Sequence, residues 1–336
     1  MKPILLDCTL RDGGYVNNWE FNNETALAII DGLYDSGVRW IEIGIMGNDS
    51  LVGKQTKFSK ISETRIFCLK KKKDCHYAVM VTATEFENHV FPICSDETPD
   101  VIRLAFFKPE FENCLEYARA LKEKGYLVFL QAMATFMYDS EEMSYMIERI
   151  NELKPYAFYM VDSFSTMYPN DVAEMRDYVL SLLDKDICFG FHAHNNIQMA
   201  YANVQEFLKK SSSSQLFVDG SIFGMGRGAG NAPTELLMTY LNNNFDGSYN
   251  VLNTLLLYEN HLEEINKKYG WGYTLPYYLT AEKELNSAWG WFFMSNGVKA
   301  IRALEEAFSK VPDNMAYTLD FKIGTSILEE LGLINV

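Results

Sequence analysis

Residues 5–14 of the chain read Leu-Leu-Asp-Cys-Thr-Leu-Arg-Asp-Gly-Gly, and residues 190–196 read Gly-Phe-His-Ala-His-Asn-Asn. Side chains two positions apart in a β-strand point to the same face, so His192 and His194 would present two ring nitrogens together. Asp12 in the first stretch would add a carboxylate oxygen. Together the two stretches predict a divalent-metal site with Arg11 beside it.

The spacing of the apolar runs predicts the fold class. Short apolar runs alternate with amphipathic segments at a rhythm of roughly 25–30 residues, which is typical of βα units in a parallel sheet. Eight parallel strands with helices between them favour a closed (β/α)8 barrel, the TIM barrel, over an open sheet. The predicted strands are Ile4–Leu10, Trp40–Met46, Tyr77–Val81, Val101–Phe106, Leu127–Met133, Ala157–Ser163, Cys188–His194 and Leu216–Phe223.

After Gly230 helical patterning replaces the strand rhythm, so we expect a catalytic barrel over residues 1–240 and a helical C-terminal extension over residues 241–336. The aromatic stretch Tyr269–Tyr278 is predicted to be an ordered loop, and Trp289–Met294 either a buried helix or an oligomer contact. The helices predicted after Gly230 are Thr234–Leu241, Val251–Tyr269, Leu279–Ala288 and Lys299–Ser309.

Charge and composition exclude several classes of function. The 336 residues carry a net charge of −15 with a pI near 4.8, and the dense basic run Lys70–Lys73 is short. Phosphate binding needs a basic surface, so nucleic acid is not an expected partner. The N-terminal apolar stretch is too brief for a signal peptide, and no window is long and uncharged enough to span a bilayer. We therefore expect a cytoplasmic protein without a membrane partner.

In eight-stranded barrels, catalytic groups lie at the C-terminal ends of the strands and in the loops beyond them. The glycine-rich turn Gly224–Asn231 is either an anion-binding turn with exposed backbone N–H groups or a plain tight connection. Arg103 and Gln131 are candidate substrate-binding residues, although polar residues inside a barrel also satisfy one another. Ser163 is a candidate for binding a substrate carboxylate. The polar residues at predicted strand ends are Arg11, Asp12, Glu42, Arg103, Gln131, Asp162, Ser163, His192 and His194.

Five motifs occur in one characteristic order. They are Thr9–Gly13, Ile41–Gly44, Val161–Phe164, His192–Asn195 and Gly224–Asn231. Through them, most of the chain before the extension resembles the HMGL-like superfamily, the DRE-TIM metallolyases, which includes hydroxymethylglutaryl-CoA lyase, the 4-hydroxy-2-oxovalerate aldolases and the isopropylmalate and homocitrate synthases. The resemblance implies a TIM barrel in which Asp12, His192 and His194 bind Mg²⁺ or Mn²⁺, with Asn231 as a further ligand. Zn²⁺ and Co²⁺ also suit this mixed Asp/His set.

The resemblance also implies chemistry on a small 2-oxo acid. Such an acid can chelate the metal through its keto and carboxylate oxygens, and the metal then stabilises the enolate formed when a C–C bond breaks. Arg11 would add positive charge at the enolate oxygen. Glu42 would hold Arg11 in place, the alternative being a salt bridge inside the barrel.

The identity of the general base stays open. In the hydroxy-oxovalerate aldolases a histidine base follows two positions after the Arg-Asp-Gly triplet, and here that position is Tyr15. Tyr15 could serve only if its pKa, ordinarily about 10, were lowered by the metal or by Arg11. Glu42 and a metal-bound hydroxide are the alternatives. Tyr277, in the aromatic stretch of the extension, is a candidate for the tyrosine that these aldolases place over the substrate.

Three functions are compatible with these residues. The first is a metal-dependent aldolase that cleaves or forms a 4-hydroxy-2-oxo acid to or from pyruvate and an aldehyde. The second is an acyl-CoA lyase or synthase of the hydroxymethylglutaryl-CoA lyase or isopropylmalate synthase type, which the lack of a glutamine in residues 13–18 disfavours. The third is a non-catalytic barrel subunit, which the retained Asp12, His192 and His194 disfavour. A small 2-oxo acid is the expected partner, and the first function leaves room for a homo-oligomer and for an aldehyde dehydrogenase partner.

Overall fold

The computed structural model describes residues 1–48, 55–210 and 212–333. Its central element is a closed barrel of parallel strands, which confirms the predicted TIM barrel. Strand β1 pairs with the last strand on one side and with β2 on the other, so the barrel closes on itself. The strands are β1 (Ile4–Asp7), β2 (Trp40–Met46), β3 (Lys57–Phe58), β4 (His76–Thr82), β5 (Val101–Phe106), β6 (Leu127–Ala132), β7 (Ala157–Asp162), β8 (Cys188–Ala193) and β9 (Leu216–Gly220).

Strand β3 was not predicted from the sequence. It consists of two residues that pair with the C-terminal end of β2, and it lies outside the barrel. The other eight strands are the predicted ones, and each pairs in parallel with its neighbours.

The first strand is shorter than predicted, because the chain turns at Asp7 instead of continuing to Leu10. The carboxylate of Asp7 accepts hydrogen bonds from the backbone N–H of Thr9 (2.9 Å) and from the hydroxyl of Thr234 (2.6 Å), so it stabilises the turn. Arg11 and Asp12 therefore lie on a one-turn helix, α1, and not at the end of a strand. The helices up to the end of the barrel are α1 (Thr9–Asp12), α2 (Gly14–Asn17), α3 (Asn23–Asp35), α4 (Arg65–Cys68), α5 (Phe111–Glu123), α6 (Ser140–Leu153), α7 (Pro169–Leu182), α8 (Ala200–Lys209) and α9 (Thr234–Asn244).

The extension contains six more helices and has a hydrophobic core of its own. Trp289 and Phe293 are fully buried in this second core, so the aromatic cluster is a buried helix, although Trp291 on the same helix is half exposed. The predicted boundary between residues 240 and 241 falls inside α9. The helices are α10 (Val251–Leu257), α11 (Glu263–Tyr269), α12 (Leu275–Glu282), α13 (Ser287–Ser295), α14 (Ile301–Ser309) and α15 (Phe321–Glu330), with a π-helical segment at Tyr258–Leu262.

The predicted helix Leu279–Ala288 is wrong, because two helices meet there. Helix α12 begins earlier, where the Thr274 side chain accepts a hydrogen bond from the backbone of Tyr277 (3.4 Å). Helix α13 begins after Asn286, whose side chain accepts a hydrogen bond from the backbone of Ala288 (3.0 Å). Each side chain satisfies a backbone N–H that the first turn of a helix leaves without a partner. The predicted loop after Tyr269 consequently ends at Thr274.

An aromatic cluster lies inside the barrel, where Trp40, Phe129, Tyr159 and Phe217 are in contact. Arg103 packs on this cluster, with its guanidinium carbon 4.8 Å from the centre of the Tyr159 ring. Within the described ranges, no helix is long and apolar enough to cross a membrane.

Candidate metal centre and active site

Three side chains at the mouth of the barrel form a cluster of metal-ligand type. Asp12 comes from α1, His192 from β8, and His194 from the loop directly after β8. One ligand atom of each lies within 4.8 Å of the others, and all three residues are buried. A carboxylate with two imidazoles is a donor set that divalent cations accept. The cluster is therefore a candidate divalent-metal site.

Asn231 lies beside this cluster because its backbone forms an antiparallel bridge with His194. Its side-chain nitrogen donates to Asp12 Oδ2 (2.6 Å), which leaves its side-chain oxygen buried without a hydrogen-bond partner. The Nε2 atom of His192 is likewise buried and unpartnered. Buried polar atoms without partners are costly unless a ligand satisfies them. Two such atoms beside a carboxylate fit a bound cation.

A network of alternating charges supports the cluster from below. The Nδ1 atom of His192 lies 2.9 Å from Asp219 Oδ2, and Asp219 is also ion-paired with Arg103. Arg103 donates to Glu42 Oε2 (2.9 Å), and the same oxygen accepts from Arg11 Nε (2.7 Å). We call these five residues the charged network. Since one nitrogen of His192 is held by Asp219, its other nitrogen is directed at the candidate site.

Arg11 is held on two sides and has one free donor. Its Nε donates to Glu42 and its Nη1 to Asp12, while its Nη2 is buried without a partner. The indole N–H of Trp19 donates to the backbone oxygen of Arg11 (3.2 Å) and steadies the helix turn that carries it. A guanidinium fixed in this way can donate its remaining N–H groups to an oxygen of a ligand beside Asp12.

The electrostatics of the cluster favour metal ligation. Burial alone would raise the pKa of Asp12, but the charge of Arg11, with both histidines and Arg227, holds that pKa well below its usual range. Burial lowers the pKa of His194 well below its ordinary value, and this effect exceeds the opposing effect of Asp12. Asp12 is therefore an anion and His194 a neutral imidazole at pH 7, which are the forms that bind a metal ion.

The glycine-rich turn packs tightly against the cluster. A Cβ atom at Gly226 would lie 2.5 Å from Asp12 Oδ2, so only glycine fits there. The side chain of Asn196 accepts a hydrogen bond from the backbone of Ala229 (2.8 Å), and the backbone N–H of Asn231 donates to Gly224 (3.0 Å). These N–H groups are satisfied within the protein and are not free for an anion. The turn thus holds Asn231 against Asp12.

Tyr15 and Arg227 lie at the solvent side of the cluster. The guanidinium carbon of Arg227 is 5.5 Å from the centre of the Tyr15 ring, and Tyr15 is 39% exposed. Burial raises the pKa of the Tyr15 phenol above its ordinary value, although Arg227 and Arg11 oppose the shift. Arg11 lowers this pKa, but the effect of burial is larger, so the net lowering that a Tyr15 base requires is not produced by the chain alone.

Arg103 and Gln131 contact each other, with Arg103 Nη2 donating to Gln131 Oε1 (3.0 Å). Arg103 is fully buried between Glu42 and Asp219. These contacts match the alternative that polar residues inside the barrel satisfy one another, and substrate binding by Arg103 stays a prediction. The side chain of Gln131 keeps an unpartnered Nε2.

Ser163 and Tyr277 occupy separate places around the mouth. Ser163 follows β7, and its hydroxyl oxygen accepts a hydrogen bond from the backbone of Ala134 (2.9 Å). Tyr277 is half-buried on α12, with its ring beside Gly290 of α13. The first residue of α13, Ser287, lies against Gly228 of the glycine-rich turn. The extension thus contacts the glycine-rich turn through Ser287, and the role of Tyr277 at the substrate stays a prediction.

The two arcs of the mouth differ in chemistry. The ligand cluster and Asn231 come from α1, β8 and the turn after β9, and we call this arc the polar wall. On the opposite arc, strands β2, β4, β5 and β6 and the loop before α3 supply the apolar wall. Its members are Trp19, Ile45, Met80, Ala105 and Met133.

Sequence reasoning missed three residues of the site. Asp219 lies within the apolar run of β9, and its role depends on the pairing of β8 with β9, which places it beside His192. Arg227 was noted only as part of the glycine-rich turn. Asn196 was quoted in a motif without a role, and its contact with Ala229 depends on the fold of the turn.

The fold and the site together define a TIM-barrel protein with a candidate divalent-metal centre at the C-terminal ends of its strands. The sequence model of the HMGL-like family matches residues 2–255, and the chain belongs to that family. Enzymes of this family are lyases and aldolases that depend on a divalent metal ion, and the Asp12, His192 and His194 cluster is the candidate site for it.

Three relatives show the range of the family around this chain. It is 27% identical over 242 residues to an oxaloacetate decarboxylase from Mycobacterium tuberculosis, which covers 71% of this chain and 70% of that protein. It is 30% identical over 244 residues to a 4-hydroxy-2-oxovalerate aldolase from Thermomicrobium roseum, which covers 71% of this chain and 66% of that protein. The crystal structure of the N-terminal domain of a proposed aldolase from Bacteroides vulgatus superposes with a TM-score of 0.72 at 25% identity, and it covers 87% of this chain and 96% of that domain.

Proposed function

We propose that the protein is an aldolase that interconverts a 4-hydroxy-2-oxo acid with pyruvate and an aldehyde. The observation that carries the proposal is the free Nη2 donor of Arg11 beside the Asp12, His192 and His194 cluster. That arrangement suits a 2-oxo acid whose keto oxygen gains negative charge during the reaction. The resemblance to the aldolase from T. roseum supports the same reading.

In the cleavage direction, the proton of the 4-hydroxyl group leaves to a base. The C3–C4 bond then breaks, C4 becomes the carbonyl carbon of the aldehyde, and the electron pair moves onto the 2-oxo group. A proton returned to C3 completes pyruvate. A divalent ion held by Asp12, His192, His194 and the side-chain oxygen of Asn231 would supply electrophilic stabilisation of the 2-oxo group.

The residues of the chain have distinct tasks in this reaction. Arg11 donates its free N–H to the oxygen on which charge develops, and Glu42 prevents the guanidinium from moving. Tyr15 is the proposed base, because it lies at the solvent side of the cluster, where the 4-hydroxyl group would project. Ser163, Gln131 and Tyr277 are proposed contacts to the rest of the substrate. Glu42, whose Oε1 is buried without a partner, is the alternative base.

A second candidate is the decarboxylation of a 2-oxo acid that carries a carboxylate at C4. Loss of carbon dioxide leaves its electron pair on the 2-oxo group without any base, and the raised pKa of Tyr15 is compatible with such a reaction. The resemblance to the oxaloacetate decarboxylase supports this candidate.

Exchange of the C3 hydrogens of pyruvate with deuterated water tests the shared step without knowledge of the aldehyde. We expect exchange by the Mn²⁺-loaded protein, and release of pyruvate from some members of a panel of 4-hydroxy-2-oxo acids. Release from oxaloacetate alone would favour decarboxylation. If the protein does not exchange the C3 hydrogens and does not release pyruvate from any of these compounds, both candidates are rejected.

Two variants separate the roles of the residues. Arg11→Lys should keep the metal and lose most of the exchange activity, because an ammonium cannot contact Glu42, Asp12 and a substrate oxygen at once. Tyr15→Phe should keep the metal and lower the rate roughly 10²–10⁴-fold, as expected when a general base is removed. Equal exchange by Tyr15→Phe and the wild type would assign the base to Glu42 or to another group.

A further inference from the structure

Arg227 is a cation at the mouth that the reaction proposed above does not use. It is half-buried on the glycine-rich turn, next to Gly226, which packs against Asp12. Its guanidinium lies over the ring of Tyr15, and its Nε atom is buried without a hydrogen-bond partner. Its charge is also close enough to lower the pKa values of both Asp12 and His194.

When the charges of the site are added, the positive charge of Arg227 has no negative charge to balance it. In the connected set around the cluster, the two cations Arg11 and Arg103 face the three anions Asp12, Glu42 and Asp219. This set carries one negative charge, so a divalent ion turns it to one positive charge. The carboxylate of a 2-oxo acid balances that charge by itself. The charge of Arg227 is then left for a second anionic group.

The place of Arg227 indicates which part of a substrate it would meet. Arg11 faces the cluster from the side of Glu42, deep in the barrel, whereas Arg227 lies with the partly exposed Tyr15. A substrate held at the cluster by its 2-oxo acid end would extend its other end towards Tyr15. A guanidinium at that place can form charge-assisted hydrogen bonds with a carboxylate.

We propose that Arg227 is a specificity-determining residue that selects 2-oxo acids with a second carboxylate at the far end of the molecule. The inference rests on the proposed aldolase function and names its substrate class, the 4-hydroxy-2-oxo dicarboxylic acids. The carbonyl product released with pyruvate would then itself carry a carboxylate. Arg227 binds that carboxylate and takes no part in breaking the C–C bond.

The same contact disfavours decarboxylation. A carboxylate that leaves as carbon dioxide must give up its negative charge, and an ion pair with Arg227 stabilises the charged form. Arg227 therefore suits a second carboxylate that remains on the product, as in aldol cleavage.

Binding of two matched, unreactive 2-oxo acids tests the proposal directly. 2-Oxoglutarate and 2-oxopentanoate have the same five-carbon chain, and they differ in whether that chain ends in a carboxylate or a methyl group. Titration calorimetry on the Mn²⁺-loaded protein should show the dicarboxylate binding about 10–100-fold more tightly, the range expected for hydrogen bonds to a charged group. Higher ionic strength should reduce this preference.

Substitutions at Arg227 test whether this residue causes the preference for the dicarboxylate. Arg227→Met should bring the two affinities within about threefold of each other by weakening 2-oxoglutarate alone, and Arg227→Lys should keep part of the preference. Arg119→Met is the matched control, because Arg119 is exposed on the outer helix α5 and its loss changes the net charge equally. It should behave as the wild type. Manganese content and circular dichroism verify that each variant is folded and loaded.

Three outcomes would overturn the proposal. They are equal affinities in the wild type, equal weakening of both acids by Arg227→Met, and no binding of either acid by the loaded wild type. The exchange assay keeps this test apart from the test of function. If the wild type prefers the dicarboxylate and Arg227→Met loses this preference, the role of Arg227 is supported. If the same protein does not exchange the hydrogens of pyruvate, the aldolase function is rejected while the role of Arg227 stands.

Discussion

The polar and apolar walls occupy opposite arcs of the same barrel mouth, yet they are built in different ways. Asp12, His192 and Asn231 of the polar wall are each held by at least one hydrogen bond or ion pair, and His192 and Asn231 each keep one atom free. The apolar wall contains Trp19, Ile45, Met80, Ala105 and Met133 and is held by packing. The polar wall therefore sets the charges at the mouth, whereas the apolar wall sets the volume that is open to a substrate. The two arcs should therefore respond differently to substitution.

The largest effect is expected from removing two ligands of the polar wall. His192→Ala/His194→Ala should abolish metal binding, because only the carboxylate of Asp12 and the amide oxygen of Asn231 remain at the site. Elemental analysis after Mn²⁺ loading and gel filtration measures the occupancy, which should be about one ion per chain in the wild type. His261→Ala, in the extension, is the control. Full occupancy in the double variant would disprove the assignment of the site.

A smaller loss is expected when the support beneath the polar wall is weakened. Asp219→Asn removes the charge that faces both His192 and Arg103, and it should lower metal affinity by about 10–100-fold. Metal titration monitored by calorimetry provides the measurement. Asp177→Asn, which removes a surface ion pair with Arg176, should leave the affinity unchanged. If both variants bound the metal like the wild type, the charged network would have no part in metal binding.

A substitution in the apolar wall should change substrate selectivity and leave the metal content unchanged. Met80→Ala enlarges the mouth, and we expect kcat/KM to shift by about tenfold towards a longer carbonyl substrate, since one methylene in an apolar pocket contributes about 1–3 kcal/mol. The ratio of kcat/KM for 3-oxopropanoate and 4-oxobutanoate in pyruvate addition measures the shift. Met143→Ala, which opens the outer core on α6, should weaken folding and leave this ratio unchanged. An equal shift in both variants would mean that Met80 does not shape the pocket.

The smallest effect on the site is expected from Asp7, below both walls. Burial raises the pKa of Asp7 to about 6 from 3.8, against the hydrogen bonds from Thr234 and Thr9. The folded state then holds the proton more tightly than the unfolded chain, so the stability from Asp7 is present at low pH and is lost as the pH rises through 6.

Asp7→Asn should remove this dependence. Relative to the variant, the wild type should lose about 1.4 kcal/mol of unfolding free energy between pH 5 and pH 8. Urea unfolding at several pH values measures the difference, and metal content should stay unchanged. Parallel pH profiles for the two proteins would contradict the raised pKa.

The barrel could be predicted because its strands are buried on both faces and read as apolar runs. The ends of the strands were harder to predict from the sequence, as the first strand shows. Thr9 and Leu10 continue the apolar run, but the carboxylate of Asp7 binds the backbone of Thr9 and turns the chain into α1. Helix α12 was misplaced for a related reason, because its N-terminal residues are aromatic and include Pro276, which is tolerated in a first turn.

The site residues that could be predicted follow from spacing along the chain. Those that were missed depend on contacts between strands that are far apart in the sequence. His192 lies in β8, and His194 forms a β-bridge directly after that strand, so the alternation of side chains along extended backbone predicts their common direction. Asp219 faces His192 only because β9 lies next to β8. The ion pairs of Arg103 with Glu42 and Asp219 likewise join strands that are far apart in the sequence, so the sequence alone does not show them.

The charged network has a consequence for how the molecule forms. It joins groups from α1, β2, β5, β8 and β9, so it spans the barrel from the first strand to the last. No shorter part of the chain contains it, and the ligand cluster is complete only after Asn231 has joined the barrel. The site is therefore incomplete until β1 pairs with β9. During refolding, the time at which Mn²⁺ becomes bound would report the moment of barrel closure.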